Sequence, residues 1–421
     1  MPSVRERVAV IGAGVAGLSA AYLLQRRYDV TLYESEARLG GHAHTHDVAS
    51  PDAGALAVDS GFIVHNTTTY PLLTRLFDEL GITTQPTQMS MSIRCEECDL
   101  EYAGARGVSG LLARPAVALR PRFVRMLGEV RKFHRHAQRV LVHCTDEMTL
   151  REFLLTGRYS TYFVGHFMVP VVSSVWSSPP QLVLEYPARY LFAFLRNHGM
   201  LSVFGSHEWR TVVGGSQIYV ARAVKHLTAV ATATPVRAIQ RHADGVTLRD
   251  DADDSVEFDR VVVATHADTA RLLLSDPTPQ ERAVLGAFSY TSNDTVLHTD
   301  DRVLPRAPRA QAGWNYLLPA CRANADRVVV SYDMTRLQRL PTDERYVVTL
   351  NATERIEASR VVARMRYEHP VYTTRSVRAQ RRLPDLTTPR CAFAGAYHGW
   401  GFHEDGCRAG VAAAAAFGVS W

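Results

Sequence analysis

VAVIGAGVAGLSAAYLL, residues 8–24, places an apolar strand, a glycine-rich turn and an alanine-rich helix in immediate succession. The apolar run at 8–11 predicts a strand buried on both faces, as parallel strands are. Residues 18–24 are mostly strong helix formers. The chain therefore opens with a strand–turn–helix unit of an α/β fold.

Three glycines in this turn follow a spacing that suits a bound dinucleotide. Gly12 permits the tight turn, Gly14 lets the backbone approach a diphosphate, and Gly17 lets helix and strand pack closely. The N–H groups at the start of the helix, near Ala16, then face the phosphates. These residues predict a diphosphate site that needs no side chain.

A second predicted strand, at 29–33, ends at Glu34, which lies 22 positions after Gly12. This is the place for an acid that receives the ribose hydroxyls of a dinucleotide. NAD and FAD both satisfy the pattern up to this residue, so the distinction rests on the residues that follow.

The run ESEARLGG, residues 34–41, continues beyond the second strand with Ser35, Arg38, Gly40 and Gly41. It resembles the flavin-containing amine oxidase superfamily, which carries E-x-x-x-R-x-G-G at this position. The resemblance implies that the cofactor is FAD and that these residues lie along it.

Two later segments complete the predicted nucleotide domain. Residues 234–239 and 246–248 predict a hairpin, and residues 258–266 predict a further buried strand. The resemblance implies that Val236 brackets the adenine by its backbone groups. It also implies that the strand reaching Ala264 closes the sheet beside the cofactor.

The C-terminal segment predicts a last strand at 390–395 and a helix that opens at Glu404 and Asp405. Acids suit the first turn of a helix because the dipole is positive there. The same dipole, aimed at the ring, would stabilise negative charge on a reduced flavin. We therefore place Gly395, Glu404 and Asp405 in the cofactor site, with an ordinary acid-capped terminal helix as the alternative.

The loop between that strand and helix, AYHGWGFH at 396–403, is rich in aromatic residues and glycine. Loops at the carboxyl ends of strands in open α/β sheets are where ligands bind. We expect this loop to face the flavin, with Phe402 among the cofactor-binding residues. Tyr397, His398 and His403 are the catalytic residues predicted here, as carriers of a proton.

Three histidines, His42, His44 and His46, alternate after the glycine pair. Three imidazoles on one face of an extended segment invite a metal interpretation, but no carboxylate or cysteine follows at ligand spacing. We therefore predict no metal. His42 or His44 is better used as a flavin-side polar group or proton carrier, and we assign His42 to both the cofactor site and catalysis.

The fold class that follows is α/β, a Rossmann-type FAD-binding domain with an interleaved α+β substrate domain, as in amine-oxidase and glutathione-reductase-2-like folds. The FAD-binding domain is predicted to comprise 1–66, 209–271 and 385–421. The substrate domain is predicted to comprise 67–208 and 272–384.

A narrower resemblance rests on motifs spread over essentially the whole chain. They are GFIVHN at 61–66, WSSPP at 176–180, YPARY at 186–190, NHG at 197–199, WRTVVGGS at 209–216 and FHEDG at 402–406. These are similar to bacterial NAD/FAD-binding oxidoreductases encoded beside cyclopropane-fatty-acid synthase-like methyltransferases. The resemblance adds Gly61 and Phe62 to the cofactor site and implies a lipid or other unsaturated acyl substrate.

Lysine usage departs from that of true amine oxidases, many of which hold a water near the reactive flavin nitrogen with a lysine. This chain has only Lys132, in a basic helix, and Lys225, in a helix of the nucleotide domain. Neither position suits that role. We therefore expect reduction, desaturation or double-bond movement on a less polar substrate rather than oxidation of amines.

Residues 119–141 predict a basic amphipathic helix whose apolar residues, beginning at Leu119, recur at helical spacing. Two interpretations stay open. The basic face could make a peripheral contact with an anionic membrane or an acyl carrier. Alternatively, the helix packs its apolar side on its own domain and leaves a solvated basic face.

Composition excludes several other classes of protein. Hydrophobic residues make up 46% and charged residues 21%, as in ordinary folded proteins. The net charge of +5 comes almost entirely from arginine and does not predict nucleic-acid binding. Cys95 and Cys98 form a single C-x-x-C, which is weak evidence for zinc or redox chemistry. With no signal-peptide core and no apolar run of spanning length, we expect a cytoplasmic protein with reduced thiols.

Three functions remain open at this point. The first is an FAD-dependent oxidoreductase that passes a hydride to or from a hydrophobic unsaturated substrate, a fatty acyl lipid or polyketide, with NAD(P)H or another electron partner. The second is a redox-neutral, FAD-containing isomerase or cyclase. The third is a non-enzymatic lipid-binding escort, which the intact glycines, Glu34 and Arg38 disfavour because such signatures decay once the cofactor is lost.

Overall fold

The computed structural model describes residues 5–104, 107–118, 120–143, 147–201, 207–321 and 327–421. Within them the strands are β1 (Arg7–Ile11), β2 (Asp29–Tyr33), β3 (Thr45–Ser50), β4 (Gly54–Asp59), β5 (Thr84–Thr87), β6 (Met91–Cys95), β7 (Leu100–Ala103), β8 (Trp209–Val212), β9 (Ala229–Ala231), β10 (Val236–Arg241), β11 (Val246–Asp250), β12 (Ser255–Phe258), β13 (Arg260–Val263), β14 (Ser289–His298), β15 (Trp314–Leu318), β16 (Val330–Asp333), β17 (Val347–Leu350), β18 (Val361–Val371) and β19 (Cys391–Phe393).

The α-helices of the same residues include an unbroken series, from α3 to α10, between β7 and β8. They are α1 (Val15–Leu24), α2 (Pro71–Glu79), α3 (Gly107–Leu111), α4 (Pro115–Ala118), α5 (Pro121–His143), α6 (Leu150–Thr156), α7 (Thr161–Phe163), α8 (Val169–Trp176), α9 (Pro180–Val183), α10 (Ala188–Asn197), α11 (Gln217–Val224), α12 (Ala267–Leu273), α13 (Pro279–Leu285), α14 (Met334–Leu337), α15 (Thr374–Gln380) and α16 (His403–Ala416).

A parallel sheet with strand order β19-β13-β1-β2-β9 forms the nucleotide side of the protein. Its central strand β1 is buried from Val8 to Ile11 because apolar clusters cover both faces of the sheet. Val8 pairs with Val30 of β2 on one side and with Arg260 of β13 on the other. The opening strand, the second strand and the strand near Ala264 are thus neighbours in one sheet.

Helix α1 packs between this sheet and α16, and nearly all of its residues are buried. Small residues allow the two helices to approach closely. A Cβ added to Gly410 of α16 would lie 2.2 Å from the carbonyl oxygen of Ala16. Helix α16 begins at His403, one residue before its predicted start at Glu404.

The hairpin predicted around residues 244–245 is present as β10 and β11. A third strand, β12, extends it to an antiparallel three-stranded sheet. The stretch 258–266, predicted as one strand, contains the last residue of β12 and all of β13, and it ends directly before α12. The chain turns at Asp259, whose carboxylate accepts the N–H of Arg7 at 2.7 Å.

A mixed sheet with strand order β18-β14-β17-β16-β15-β6-β7 forms the other large element. Its strands come from distant parts of the chain. For example, β6 pairs in parallel with β15, so that Ile93 lies opposite Tyr316. Helices α5 to α10 cover it through a core rich in aromatic rings, including Phe133, Phe163 and Phe192.

The basic amphipathic helix is confirmed as α5, which buries Phe123, Met126 and Phe133 in that core. Arg131 and Arg135 on the opposite side are exposed. The apolar side thus packs on the helix's own domain. Leu119, predicted at its start, lies outside the described residues.

The predicted domain boundaries stay a prediction. Helix α2, beyond the boundary at residue 66, packs in the core of the nucleotide side, whereas β3 and β4 contribute Val48, Leu56 and Val58 to the core of the mixed sheet. The two layers thus exchange short segments near residue 66. Among the helices of the described residues, none combines the length and the apolar character needed to cross a bilayer.

Candidate functional site

The first glycine turn has the geometry of a diphosphate cradle. A Cβ on Gly12, whose φ is +101°, would lie 2.7 Å from the carbonyl oxygen of Ala264. A Cβ on Gly17 would lie 1.8 Å from the carbonyl oxygen of Gly12, so helix and strand touch. A Cβ on Gly14 would meet no atom within 4 Å. Gly14 also precedes α1 without any side-chain cap, which leaves the helix N-terminus open to an anion.

Glu34 lies at the end of β2, directly beside this turn. Its Oε2 accepts the N–H of Ala13 at 2.8 Å, and its Oε1 accepts the hydroxyl of Ser35 at 3.1 Å. The N–H of Thr234 bonds to the backbone oxygen of Glu34 at 2.9 Å, which brings the start of β10 and Val236 to the same corner. The structure thus groups the residues predicted for the ribose and the adenine.

The second glycine pair packs on the first turn. The N–H of Gly40 donates to the oxygen of Ala13 at 2.9 Å, and a Cβ on Gly41 would lie 3.2 Å from the Cα of Gly14. Arg38 supports this loop by donating from Nη1 to the oxygen of Gly41 at 2.6 Å. The two loops therefore form one continuous wall.

Next along the wall, His42 is joined to the loop that contains Gly61 and Phe62. The N–H of Phe62 donates to the oxygen of His42 at 2.7 Å, and a Cβ on Gly61 would lie 2.2 Å from that same oxygen. The ring of Phe62 stacks on the imidazole of His403 with centroids 3.8 Å apart. Helix α16 thus begins beside this loop.

The imidazole of His42 lies near two side chains of β18. Its ring centroid is 5.0 Å from that of Tyr367 and 5.3 Å from that of His369. Burial lowers the pKa of His42 well below its usual value, that of His369 to about 4 and that of His403 to about 3. All three imidazoles are therefore neutral at pH 7.

His42 and His403 carry polar atoms that the other described groups leave unsatisfied. Nε2 of His42 and Nε2 of His403 have no hydrogen-bond partner within the described residues. Together with the open cradle at Gly14, these atoms fit a cofactor that has a diphosphate at one end and a polar ring system at the other. FAD has this shape.

Tyr397 and His398 lie in the short turn that follows β19 and Gly395. The ring of Tyr397 packs 5.2 Å from that of Phe288, in the core on the far face of the parallel sheet. Burial lowers the pKa of His398 to about 4. Of the four predicted catalytic residues, His42 and His403 both contact Phe62. Tyr397 and His398 contact each other, with ring centroids 4.8 Å apart.

The carboxylates of Glu404 and Asp405 are bound to protein groups. Glu404 accepts the N–H groups of Leu72 and Leu73 at 3.2 and 3.0 Å and so caps α2. Asp405 accepts the N–H of Phe402 at 3.1 Å and pairs with Arg408 at 3.1 Å. Burial raises the pKa of Asp405 to about 6. The assignment of both residues to the cofactor site stays a prediction.

An aromatic cluster lies beside Phe402, among α8, α10 and the loop at 396–403. The ring of Phe402 stacks on Phe194 with centroids 4.9 Å apart, and Trp176 lies 4.7 Å from Phe194. Two hydrogen bonds fasten the loop to α10 and α15. The hydroxyl of Tyr190 donates to the oxygen of Gly399 at 2.6 Å, and Nε2 of Gln380 donates to the same oxygen at 2.6 Å.

A cavity of about 300 Å³ opens on the outer side of that loop. Its lining combines apolar groups with basic ones. The residues are Arg189, Tyr190, Ala193, Val377, Gln380, Arg381, Gly399, Trp400, Asp405 and Arg408.

Both lysines lie away from this site. Lys132 donates from Nζ to the oxygen of Gly157 at 2.5 Å, within the helical layer. Lys225 follows the last residue of α11. The described residues therefore place no lysine beside His42 or Phe402.

Sequence reasoning missed Tyr367 and His369 because they lie on a strand of the mixed sheet, more than 300 positions after His42. It also missed a group formed by Cys95, Cys98, His166 and Cys321. The C-x-x-C pair was its visible signal, but the other two members are distant in the chain.

Comparison with known proteins shows the same family as the sequence analysis. The model of the family described as flavin containing amine oxidoreductase matches residues 15–417. A Mycobacterium tuberculosis protein named "Putative flavin-containing monoamine oxidase AofH" is 29% identical over 288 residues, which are 65% of this chain and 60% of that protein. The match thus spans about three fifths of the length of that relative.

Solved structures share the architecture. Cyclohexylamine oxidase from Brevibacterium oxydans IH-35A superimposes with a TM-score of 0.69 at 18% identity, over 98% of each chain. The CLA-producing fatty acid isomerase from P. acnes does so with a TM-score of 0.69 at 15% identity, over 97% of this chain and 98% of the other. The predicted fold class is therefore confirmed. The chain belongs to the family of flavin-containing amine oxidoreductases, and its cofactor is FAD.

Proposed function

We propose that this chain is an FAD-dependent oxidoreductase that transfers a hydride to or from a hydrophobic unsaturated substrate with an anionic end, such as a fatty acyl lipid or an acidic polyketide. FAD supplies the two-electron chemistry when it is bound. The residues of the chain bind and orient the substrate, exclude water and handle the proton. The observation that carries the proposal is the cavity of about 300 Å³ beside the C-terminal loop.

The lining of this cavity favours an anionic amphiphile. Arg189, Arg381 and Arg408 contribute to its walls, and guanidinium groups recognise carboxylates and phosphates. Ala193 and Val377 supply apolar surface for a hydrocarbon chain. The three guanidinium groups outnumber the one carboxylate of the lining, Asp405, so a protonated amine would meet a net positive charge.

The position of the cavity supports a path toward the flavin. Gly399 and Trp400 line it, and the aromatic cluster around Phe402 lies immediately behind them. Aromatic surface excludes water and accommodates an unsaturated chain. On this proposal the anionic end of the substrate stays near the arginines, while its double bond reaches the side of Phe402 that faces the flavin.

The neutral histidines suit a less polar reaction centre. With a pKa of about 3, His403 acts as a hydrogen-bonding group rather than as a stored proton at pH 7. A proton-carrying role for His42 or His403 requires that bound cofactor and substrate raise this pKa. We propose His42 for that role because His369 and Tyr367 border it.

The relatives favour two different substrates. The solved fatty acid isomerase shares the fold, and the motif resemblance to oxidoreductases encoded beside cyclopropane-fatty-acid synthase-like methyltransferases also points to acyl lipids. The name of the M. tuberculosis relative favours amine oxidation, which is our second candidate. The arginine-lined cavity and the placement of both lysines lead us to prefer the acyl substrate.

The test is anaerobic spectroscopy of the purified holoprotein. The flavin absorbance is followed while NADPH, oleic acid and a long-chain primary amine are added separately, and products are identified by mass spectrometry. We expect either direct bleaching by the acid or reoxidation of chemically reduced flavin by it, with a product that differs from oleic acid by two hydrogens.

Other outcomes identify the alternatives. A product of unchanged mass but moved double bond indicates the redox-neutral isomerase. Bleaching by the amine, with formation of an aldehyde, would establish amine oxidation and contradict the proposal. A colourless protein that binds the acid would indicate the escort function.

A further inference from the structure

Four potential metal ligands converge at one edge of the mixed sheet, far from the predicted flavin contacts. They are Cys95, Cys98, His166 and Cys321. The three sulfur atoms and one imidazole nitrogen all lie within 4.8 Å of one another. This is the one such group within the described residues, and the flavin chemistry does not use it.

The fold brings these ligands together from three separate elements. Cys95 ends β6, and Cys98 lies in the turn between β6 and β7. Cys321 follows β15, which pairs in parallel with β6 so that Leu318 lies opposite Cys95. His166 comes from a π-helical turn, Val164–Met168, an irregularity that is frequent at functional sites.

Two contacts within the group match the edges of a tetrahedral zinc site. Zinc–sulfur bonds of about 2.3 Å predict sulfur atoms roughly 3.8 Å apart, and zinc–nitrogen bonds of about 2.0 Å predict a sulfur–nitrogen edge of roughly 3.6 Å. Sγ of Cys95 and Sγ of Cys321 are 3.7 Å apart. Sγ of Cys98 and Nε2 of His166 are 3.6 Å apart.

Neighbouring groups hold the backbone of three ligands. The hydroxyl of Tyr102 donates to the oxygen of His166 at 2.7 Å. The carboxylate of Glu97 accepts the N–H of Cys321 at 2.8 Å, and Arg120 donates to the oxygen of Cys98. Such supporting contacts are what fix ligands around a protein-bound metal.

The imidazole of His166 is oriented for coordination through Nε2. Its Nδ1 lies 3.1 Å from the backbone oxygen of Tyr162. This contact keeps the proton on Nδ1 and leaves the lone pair of Nε2 available to a metal ion. Gly165 allows the helical turn to approach, because a Cβ there would lie 2.9 Å from the oxygen of Cys321. His166 and Cys95 are buried.

We propose that Cys95, Cys98, His166 and Cys321 bind one structural Zn²⁺ ion. Three thiolates and one imidazole are a ligand set that zinc prefers, and four protein ligands leave no open position for catalysis. Binding releases the thiol protons to solvent and involves no oxidant. The ion ties the β6–β7 turn, the segment after β15 and the π-helical turn into one unit.

The test is metal analysis of the holoprotein, purified with reductant and without chelator after growth in zinc-containing medium. We expect about one zinc per chain by elemental mass spectrometry. Flavin content, measured separately by absorbance, reports on the folded nucleotide side. Replacement of zinc by Co²⁺ should give the absorption bands of tetrahedral, thiolate-bound cobalt in the red, where oxidised flavin does not absorb.

Single substitutions identify the ligands. Cys98→Ser and His166→Gln should lose most of the zinc, whereas Cys391→Ala should retain it, because Cys391 is buried in the parallel sheet. If a ligand variant does not fold, the cobalt spectrum of the wild-type protein decides whether the site binds a metal.

Absence of zinc and cobalt from reduced wild-type protein would overturn the proposal. So would wild-type zinc content in both folded ligand variants, or a Cys95–Cys321 disulfide trapped by alkylation before lysis.

Discussion

The indole nitrogen of Trp176 donates a hydrogen bond to the backbone oxygen of Trp400 at 2.8 Å. This bond joins the end of α8 in the helical layer to the C-terminal loop predicted to face the flavin. Tyr190 and Gln380 fasten the neighbouring Gly399 in the same way. The shape of the loop therefore depends on helices that lie outside the nucleotide fold.

Trp176→Phe should destabilise the protein by about 1–3 kcal/mol, because the oxygen of Trp400 loses the donor of a partly buried hydrogen bond. FAD should also dissociate faster from the loosened loop. Both effects are measured by urea unfolding and by flavin fluorescence after dilution. The matched control is Trp314→Phe, since Nε1 of Trp314 has no partner within the described residues. Equal losses in the two variants would contradict a role for the hydrogen bond.

Gly14→Ala should fold normally but lose FAD affinity by at least about tenfold, or ~1.4 kcal/mol. The added Cβ meets no protein atom within 4 Å and projects into the space assigned to the diphosphate. Gly17→Ala should in addition lower the stability of the apoprotein, because its Cβ would lie 1.8 Å from the oxygen of Gly12. FAD binding is measured by fluorescence titration of the deflavinated protein.

Gly128→Ala is the control for both glycine variants. Gly128 lies in α5, and a Cβ there also meets no atom within 4 Å. This change should raise helix stability slightly and leave FAD binding unchanged. Wild-type FAD affinity in Gly14→Ala would contradict the assignment of the cradle.

Arg381→Met tests the cavity proposed for the acyl substrate. Removal of a guanidinium that recognises the anionic end should raise KM for an unsaturated fatty acid about tenfold, with a smaller effect on kcat. The neighbouring Arg382 lines a different cavity, so Arg382→Met should leave both constants near their wild-type values. Steady-state kinetics with the acid and with its methyl ester separates charge recognition from chain binding. An unchanged KM in Arg381→Met would place the substrate elsewhere.

The stability of the protein should fall as the pH is lowered from 7 to 5, and His298 should account for part of this loss. Burial lowers the pKa of His298 to about 4, and its Nδ1 accepts the N–H of Asp300 at 3.1 Å. Between pH 6.5 and 4 the unfolded chain therefore takes up a proton at this residue that the folded chain does not. Linkage gives a loss of about 2 kcal/mol at pH 5 from this residue.

His298→Gln should lower stability at pH 7 but reduce the difference between pH 7 and pH 5, as measured by urea unfolding at both values. His242→Gln, a change at an exposed histidine, serves as the control. Buried Asp59 and Asp405 act in the opposite sense, because burial raises each pKa to about 6. If His298→Gln loses as much stability between pH 7 and pH 5 as the wild-type protein does, His298 does not contribute to the loss.

Several features could be predicted because they depend on neighbouring residues. The turn from Gly12 to Gly17 and the acid at Glu34 were assigned correctly to a strand–turn–helix–strand unit. Other predictions depended on partners that a linear pattern does not show. The capping of α2 by the carboxylate of Glu404 could not be predicted, because Leu72 and Leu73 lie more than 300 positions earlier in the chain, and the place of Glu404 in the cofactor site stays a prediction.

By itself the sequence determined the family, the cofactor and the backbone cradle, since glycine spacing and strand periodicity are local properties of a contiguous chain. The tertiary structure decided which distant side chains meet. It placed His369 beside His42, lined one cavity with arginines from α10, α16 and the segment after α15, and completed the Cys95–Cys98 pair with His166 and Cys321. These contacts follow from strand register and helix packing, which depend on the whole core rather than on any one segment.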